Sequence, residues 1–415
     1  MESLTLFTNN KERKLFFVVI FVIFLLNLSL DFYNYKKFIK NEVYNTNGVI
    51  LNIYNKKTYN TLKIKTENFT FFTSINESEK YKIFDNINLY ILTNQVNFIS
   101  YLKGFYTKSF DINLSDSTRS NKHKLYTYVQ SQHNSNDISS LYNALYFATP
   151  LNKPIREFAN NFGISHLIAI SGFHLGVISI VLYFIIHTMY NKIHKHFFPF
   201  RNIKFDITIV ISLILYIYLI FINSPPSLLR AFVMFIFALF LTRSNLKIVS
   251  FETLLIISIF IISLFPSLLF SLSLWFSICG VFYIFLFLKY FKHLNKVIQF
   301  ILFNFWLYLA INPITHYFFP TVALEQLYSP ILTILFTLFY PLSVILHFFN
   351  FGGLFDIYLE YFTKIEILTV EVFTPSLFFV FYIIISLLST IKKELFIILN
   401  ISMIAYNIWL FQFIF

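Results

Sequence analysis

The chain has 415 residues, of which 57% are hydrophobic and 13% charged, with a mean hydropathy of +0.66. Soluble domains carry about 25% charged residues, so the composition excludes a water-soluble enzyme and describes an integral membrane protein. A net charge of +12 points to an anionic partner, with basic cytoplasmic loops accounting for part of it.

Residues 1–14 carry Lys11, Arg13 and Lys14, and residues 15–30 are apolar except for Asn27 and Ser29. No small-residue cleavage pattern follows, so residues 1–33 read as a cytoplasmic tail and an uncleaved first transmembrane helix. Residues 34–136 change character and form an extracytoplasmic domain with its linker. Val49, Leu51 and Ile53 alternate along one expected strand, and Leu62 and Ile64 alternate with Lys63 and Lys65 along another. Further strands are expected at 70–75 and 87–93. Several short strands in so small a region suit a small β-barrel of the OB type. Residues 34–150 hold 14 Lys and Arg against 8 Asp and Glu. Lys56, Lys57, Lys63 and Lys65, interleaved with Tyr54 and Tyr59, would suit a single-stranded nucleic acid, cations tracking its backbone and rings stacking on bases. A solvated basic surface over an ordinary core accommodates the same residues.

Short amphipathic helices are expected at 137–162, interrupted by Pro150 and Pro154. Next comes Gly163-Ile-Ser-His-Leu-Ile-Ala-Ile-Ser-Gly-Phe-His-Leu-Gly176, which opens an apolar run reaching Tyr190. Polar groups at bilayer depth are costly and normally face a protein interior or a wet path, so this stretch, read as one helix, is expected to border such a path. Further spans are expected near 205–222, 226–242, 248–265, 267–288, 297–312, 374–391 and 395–413, each near the 20 or so residues a bilayer needs. Alternating Lys and Arg content of the loops keeps the N-terminus inside. Residues 328–371, with Pro330 and Pro341, are expected to form a broken or re-entrant hairpin or a surface helix.

The chemistry-bearing residues are few. Ser171 and His174 stand i, i+3, and a hydrolase would need a third group to orient the histidine. His166 and His174 have no further metal ligands nearby, so no metal is expected. Gly172 and Gly176 carry the spacing that lets helices approach closely. In Ser224-Pro-Pro-Ser-Leu-Leu-Arg-Ala, Ser224 is expected to cap a helix begun by Pro225, with Arg230 placed to contact phosphate or to snorkel. Cys279 is the only cysteine, which excludes an internal disulfide. There is no Walker-type phosphate loop and no His-x-His-x-Asp-His nuclease cluster, so no enzyme activity and no cofactor are expected.

The run from Gly163 to Gly176 closely resembles the signature of the ComEC family of competence DNA-uptake channels. Pro226, Ser227 and Arg230 resemble that family's Pro-Ser-x-x-Arg-Ala segment, and Pro266 through Ser277 resemble a third segment, with Ser271 standing where the family usually has Asp. The resemblance implies a polytopic α-helical protein of the inner (cytoplasmic) membrane with an extracytoplasmic OB-like β-barrel, passing single-stranded DNA during natural transformation. It makes 137–350 the competence transmembrane domain, followed by an amphipathic segment and last transmembrane helices at 351–415. It implies that His166, Ser171, Gly172, His174, Gly176, Pro226, Ser227, Arg230 and Ser277 belong to the channel motifs. The partners it implies are single-stranded DNA, membrane lipid, a DNA receptor outside, a cytoplasmic ATPase motor, a separate nuclease in place of the β-lactamase-like domain of longer relatives, and further copies of the chain. An intramembrane Ser/His hydrolase and a small-anion transporter are the alternatives.

Overall fold

The computed structural model describes residues 9–55, 59–75, 81–115, 121–243 and 250–414. The chain divides into two compact units. One comprises Met1–Ser131, Phe240–Lys247 and Leu255–Leu274, and the other Gln132–Leu239, Ile248–Leu254 and Trp275–Phe415.

The first unit opens with helix α1, Asn10–Phe38, capped by Asn9, whose side chain accepts the Glu12 N–H at 2.8 Å. Its outer faces are apolar and exposed, as lipid-facing surfaces are, and Asn27 in mid-helix donates to the Ser263 carbonyl at 2.9 Å. The helix continues until Phe38 enters the core of a sheet.

That sheet consists of β1 (Val43–Asn55), β2 (Asn60–Lys65), β3 (Thr70–Ile75), β4 (Asn86–Leu92), β5 (Phe105–Tyr106) and β6 (Ser109–Leu114), with helix α2 (Phe98–Lys103) ahead of β5. Its order is β5-β3-β2-β1-β4-β6. All pairs are antiparallel except β3 with β5. The OB-like barrel expected from the strand pattern is therefore not what forms: the sheet is open and mixed, and among the described residues its edges, β5 and β6, do not pair with each other. Closure needs a consistent stagger of register between the end strands, which alternation within single strands does not specify. Here Phe38 from α1 and Tyr101 from α2 pack with Phe69 and Phe105 over the apolar face, so side chains cover what closure would have enclosed.

Strand β1 also departs from simple alternation. Its register with β2 shifts between Ile50 and Asn52, a bulge at Leu51. Ile50 is fully buried before the bulge and Ile53 packs against the core after it, so Val49, Leu51 and Ile53 do not share a face. Leu62 and Ile64 are buried while Lys63 and Lys65 lie on the opposite face, as their alternation requires. Helix α3 (Asn121–Gln130) follows.

In chain order the remaining helices are α4 (Asn136–Phe147), α5 (Lys153–Asn161), α6 (Ser165–Ile168), α7 (Gly172–Phe197), α8 (Ile203–Phe221), α9 (Pro226–Arg243), α10 (Phe251–Leu264), α11 (Leu272–Phe291), α12 (Lys296–Phe318), α13 (Ser329–Phe348), α14 (Asp356–Thr363), α15 (Ser376–Leu388) and α16 (Lys393–Phe411). Seven of the described helices are long and apolar enough to cross a membrane. Neither proline breaks the chain within 328–371: Pro330 sits in the first turn of α13, where its missing N–H costs nothing, and the helix runs through Pro341 without ending.

Among the described residues, three apolar clusters hold the second unit, the smallest formed by Val322, Val372, Tyr406 and Leu410. Leu175 of α7 packs with Ile207, Ile211, Leu215 and Leu219 of α8 and Leu228 of α9. Tyr283, Phe287, Trp306, Tyr382 and Leu399 join α11, α12, α15 and α16. Hydrogen bonds supplement packing where lipid supplies no hydrophobic drive between helices: Trp306 Nε1 donates to Asn400 at 2.7 Å, Asn312 to Asn407 at 2.7 Å, and Tyr382 to the Ala310 carbonyl at 2.9 Å.

Candidate functional site

The run from Gly163 to Gly176 is not one helix. Helix α5 ends at Asn161 with Phe162 as its C-cap, Gly163 takes a left-handed φ of 64°, and the Ile164 N–H returns to the Ala159 carbonyl at 2.8 Å. This is the glycine-terminated helix end in which a side chain at Gly163 would be strained. One helical turn, α6, follows; then the backbone extends through Ala169 and Ser171 before α7 starts at Gly172. His166 and His174 thus belong to different helices.

The interruption is stitched by side chains from distant segments. Ser227 at the start of α9 donates to the Ile170 carbonyl at 2.6 Å, and Ser329 at the start of α13 donates to the Gly163 carbonyl at 2.9 Å. Gln326 donates to the Asn160 carbonyl at 3.2 Å. The close approach is steric as well. A Cβ on Gly172 would stand 3.1 Å from Ala231 Cβ and 3.7 Å from Arg230 Nη2, whereas one on Gly176 would meet nothing within 4 Å. Gly172 therefore makes the helix contact that the glycine spacing suggests, and Gly176 does not.

The segment before α9 differs from its expected form. Asn223 and Ser224 both lie in the left-handed region, at φ 63° and 52°. The Ser224 N–H closes the end of α8 on the Leu219 carbonyl at 2.9 Å. Ser224 thus terminates one helix instead of capping the next, and α9 begins at Pro226.

Arg230 is the site's most costly residue. It is 5% exposed; its Nη1 lies 2.9 Å from Met234 Sδ, its Nε has no hydrogen-bond partner, and no ion pair among the described residues includes it. Its guanidinium lies beside the first residue of α7, where helix N–H groups have no carbonyl within the helix and carry partial positive charge.

His174 is fully buried against Phe336 and Tyr340 of α13, the Tyr340 ring centroid 4.5 Å away. Its Nδ1 accepts the Ser171 N–H at 3.2 Å, with Ser171 Oγ also at 3.2 Å. That fixes the proton on Nε2, which has no hydrogen-bond partner. Serine and histidine meet, but among the described residues no carboxylate stands behind the ring as a hydrolase would place it. His166 lies on the single turn of α6 and is exposed. Ser171, Gly172 and Gly176 are half-buried, as is Ser277 within α11.

The residues expected to meet nucleic acid lie in the first unit. Lys56 and Lys57 fall outside the described residues. Tyr54 and Lys63 flank Phe72 at 6.4 and 5.7 Å on the sheet face away from the core, and Tyr59 is exposed. Burial pushes the Lys63 and Lys65 ammonium groups down from their ordinary value.

Gln326, Ser329 and Tyr340 belong to the site and were not foreseen; the only local hint is that they are polar within an apolar run. Neither a curated protein nor a solved structure matches the chain. A sequence model of the Competence protein family matches residues 149–396, more than half of the chain. The match takes in α5 to α15 and with them both interrupted segments, Arg230 and the α13 residues that stitch them, and on that basis the chain belongs to the Competence protein family.

Proposed function

We propose that the protein is the channel through which a single strand of DNA crosses the cytoplasmic membrane during natural transformation. The observation that carries this reading is Arg230, a cation 95% buried beside a helix N-terminus with no carboxylate paired to it among the described residues. An uncompensated buried charge is strongly destabilising; a site of this kind is stable and useful when an anion visits it, and phosphate suits both guanidinium and helix N-terminus. Interrupted helices whose ends face a substrate are how membrane transporters build polar sites at bilayer depth.

In this reading His166, Ser171, Gly176, Arg230 and Ser277 border the path, whereas Gly172, His174, Pro226 and Ser227 hold its wall together. Lys63, Lys65, Tyr54 and Tyr59, with Lys56 and Lys57, collect the strand outside. The N-terminus is cytoplasmic, a receptor delivers DNA, a cytoplasmic ATPase pulls, and a separate nuclease removes the other strand.

The test is transformation of a strain lacking the gene, complemented by wild type or by Arg230→Met, with membrane insertion checked in parallel. Loss of a charged hydrogen bond, roughly 1.5–3 kcal/mol, should lower transformation by at least about tenfold. Unchanged transformation by the deletion strain would remove the channel reading; full activity of Arg230→Met would remove Arg230 from the path. Phosphate transport by the purified chain without DNA would favour the small-anion transporter.

A further inference from the structure

The chain enters the second unit at Gln132 and His133, just ahead of α4. These two residues lie outside regular structure and are held by side-chain bonds. Gln132 Nε2 donates to the His347 carbonyl at 3.1 Å, and its Oε1 accepts the Gly352 N–H at 2.9 Å. His133 Nδ1 lies 2.9 and 3.2 Å from the two carboxylate oxygens of Asp356, the first residue of α14. His133 Nε2 lies 3.0 Å from Nε2 of His347, in the last turn of α13. The His133 side chain has no exposed surface and that of Asp356 is 8% exposed. The imidazole stacks on the Tyr142 ring with centroids 4.5 Å apart and planes within 4°.

Hydrogen-bond chemistry then counts the protons. His347 Nδ1 lies 2.7 Å from the Ser343 carbonyl, which only accepts, so Nδ1 carries a proton. The Tyr146 hydroxyl, 3.1 Å from the same Nδ1, is turned by donating to Ser343 Oγ at 2.9 Å and leaves its lone pairs to share that N–H. His133 Nδ1 addresses both oxygens of a carboxylate, so it too carries a proton. The contact between the two Nε2 atoms holds one proton, whichever ring owns it. Three protons on four nitrogens give the two rings one positive charge, and Asp356 balances it. Burial favours this neutral sum, and the face of Tyr142 supports a cationic ring.

We infer that His133, His347 and Asp356 form a proton-operated latch, which clasps residues 132–133 to α13 and α14 while its rings hold three protons and opens when they hold four. The fourth proton sets two N–H groups against each other across a 3.0 Å gap and leaves a net buried charge. Among the described residues, the groups facing the latch include Tyr142 and Tyr146 of α4, Tyr340 and Ser343 of α13, and Asp356 of α14, with half-buried Glu360 one turn further on. Tyr218 of α8 reaches the Tyr146 carbonyl, and Lys153, Arg156 and Glu157 of α5 are exposed. Histidine is the side chain that titrates in the physiological range, so acid supplies the fourth proton. The three residues do not surround a common centre as metal ligands would, since Asp356 and His347 address opposite nitrogens of His133. This inference is independent of what the channel carries.

The test uses the full-length chain in lipid nanodiscs with isotope-labelled histidine, single His→Gln variants assigning the signals. At about pH 7.5, three of the four ring nitrogens of His133 and His347 should carry protons; two neutral rings would overturn the inference. In Asp356→Asn the count should fall to two, because the balancing charge is gone. Hydrogen exchange at the backbone around 132–136, corrected for intrinsic rates, should accelerate about tenfold or more on moving to about pH 5. His347→Gln can still accept from His133 and should lose that acceleration. An acid response in His347→Gln equal to that of wild type would also overturn the latch.

Discussion

A single guanidinium sets the chemistry at the residue scale. Arg230 is flanked by the Met234 thioether, and no ion pair among the described residues includes it; in the proposed reading it attracts an anion without holding one permanently. The glycines around it make different demands. Gly163→Ala should cost about 1 kcal/mol for its left-handed backbone. Gly176→Ala, with open space around its Cβ, should stay within about 0.5 kcal/mol of wild type. Thermal unfolding of the two variants in detergent compares them, and equal losses would contradict the local geometry. These residues were legible individually, because a polar residue inside an apolar run stands out. Their meeting was not: Ser227 and Ile170 are 57 positions apart, and nothing in either segment names the other. His133 and His347, 214 apart, carried no local signal at all.

Helices and strands differed in how far they could be read. Hydropathy located six of the seven membrane-length helices among the described residues, because one side-chain property decides them; it missed Leu324–Phe348, and its expected spans at 226–242, 248–265 and 374–391 correspond to shorter apolar helices. Alternation located β2, where Leu62 and Ile64 point in and Lys63 and Lys65 out. It failed at Leu51, since a one-residue bulge inverts the pattern without changing composition. The proline pair at 330 and 341 also misled, because Pro330 opens α13, where its missing N–H costs nothing, and the helix runs on through Pro341. Beside the sheet, Lys122 of α3 sits 4.2 Å over the Phe84 ring, and burial, with Lys65 adding repulsion, pushes its ammonium down to about 8. The sign follows directly. Below about pH 8 both folded and unfolded chains hold this proton and the cost of burial is fully present; between about 8 and 10.5 the folded chain releases it first. Stability contributed by this group therefore rises with pH across that window. Lys122→Met should flatten part of the rise in melting temperature measured from about pH 8 to 10 and should raise stability at about pH 7.

For the whole molecule, composition indicated a membrane protein, and the match over residues 149–396 supplied the family. Whether the sheet closes was beyond composition and periodicity, because closure is a relation between edges and not a property of any strand. If the basic sheet collects a strand of DNA, binding of an oligonucleotide by the full chain should weaken linearly on a log–log plot against salt. Replacing Lys63 and Lys65 together by Gln should reduce that slope by roughly 1 to 2; an unchanged slope would place the contact elsewhere.

The stitching of the interrupted segment also has a consequence for biosynthesis. The carbonyl of Ile170 finds its donor 57 residues later and that of Gly163 finds its own 166 residues later. A nascent chain must therefore carry the beginning of α7 past the ribosome and into the translocon with those oxygens still solvated, and the segment can seat only after α13 emerges. Fragments ending before Ser329 should accordingly be recognised by membrane quality-control proteases, however hydrophobic their helices are.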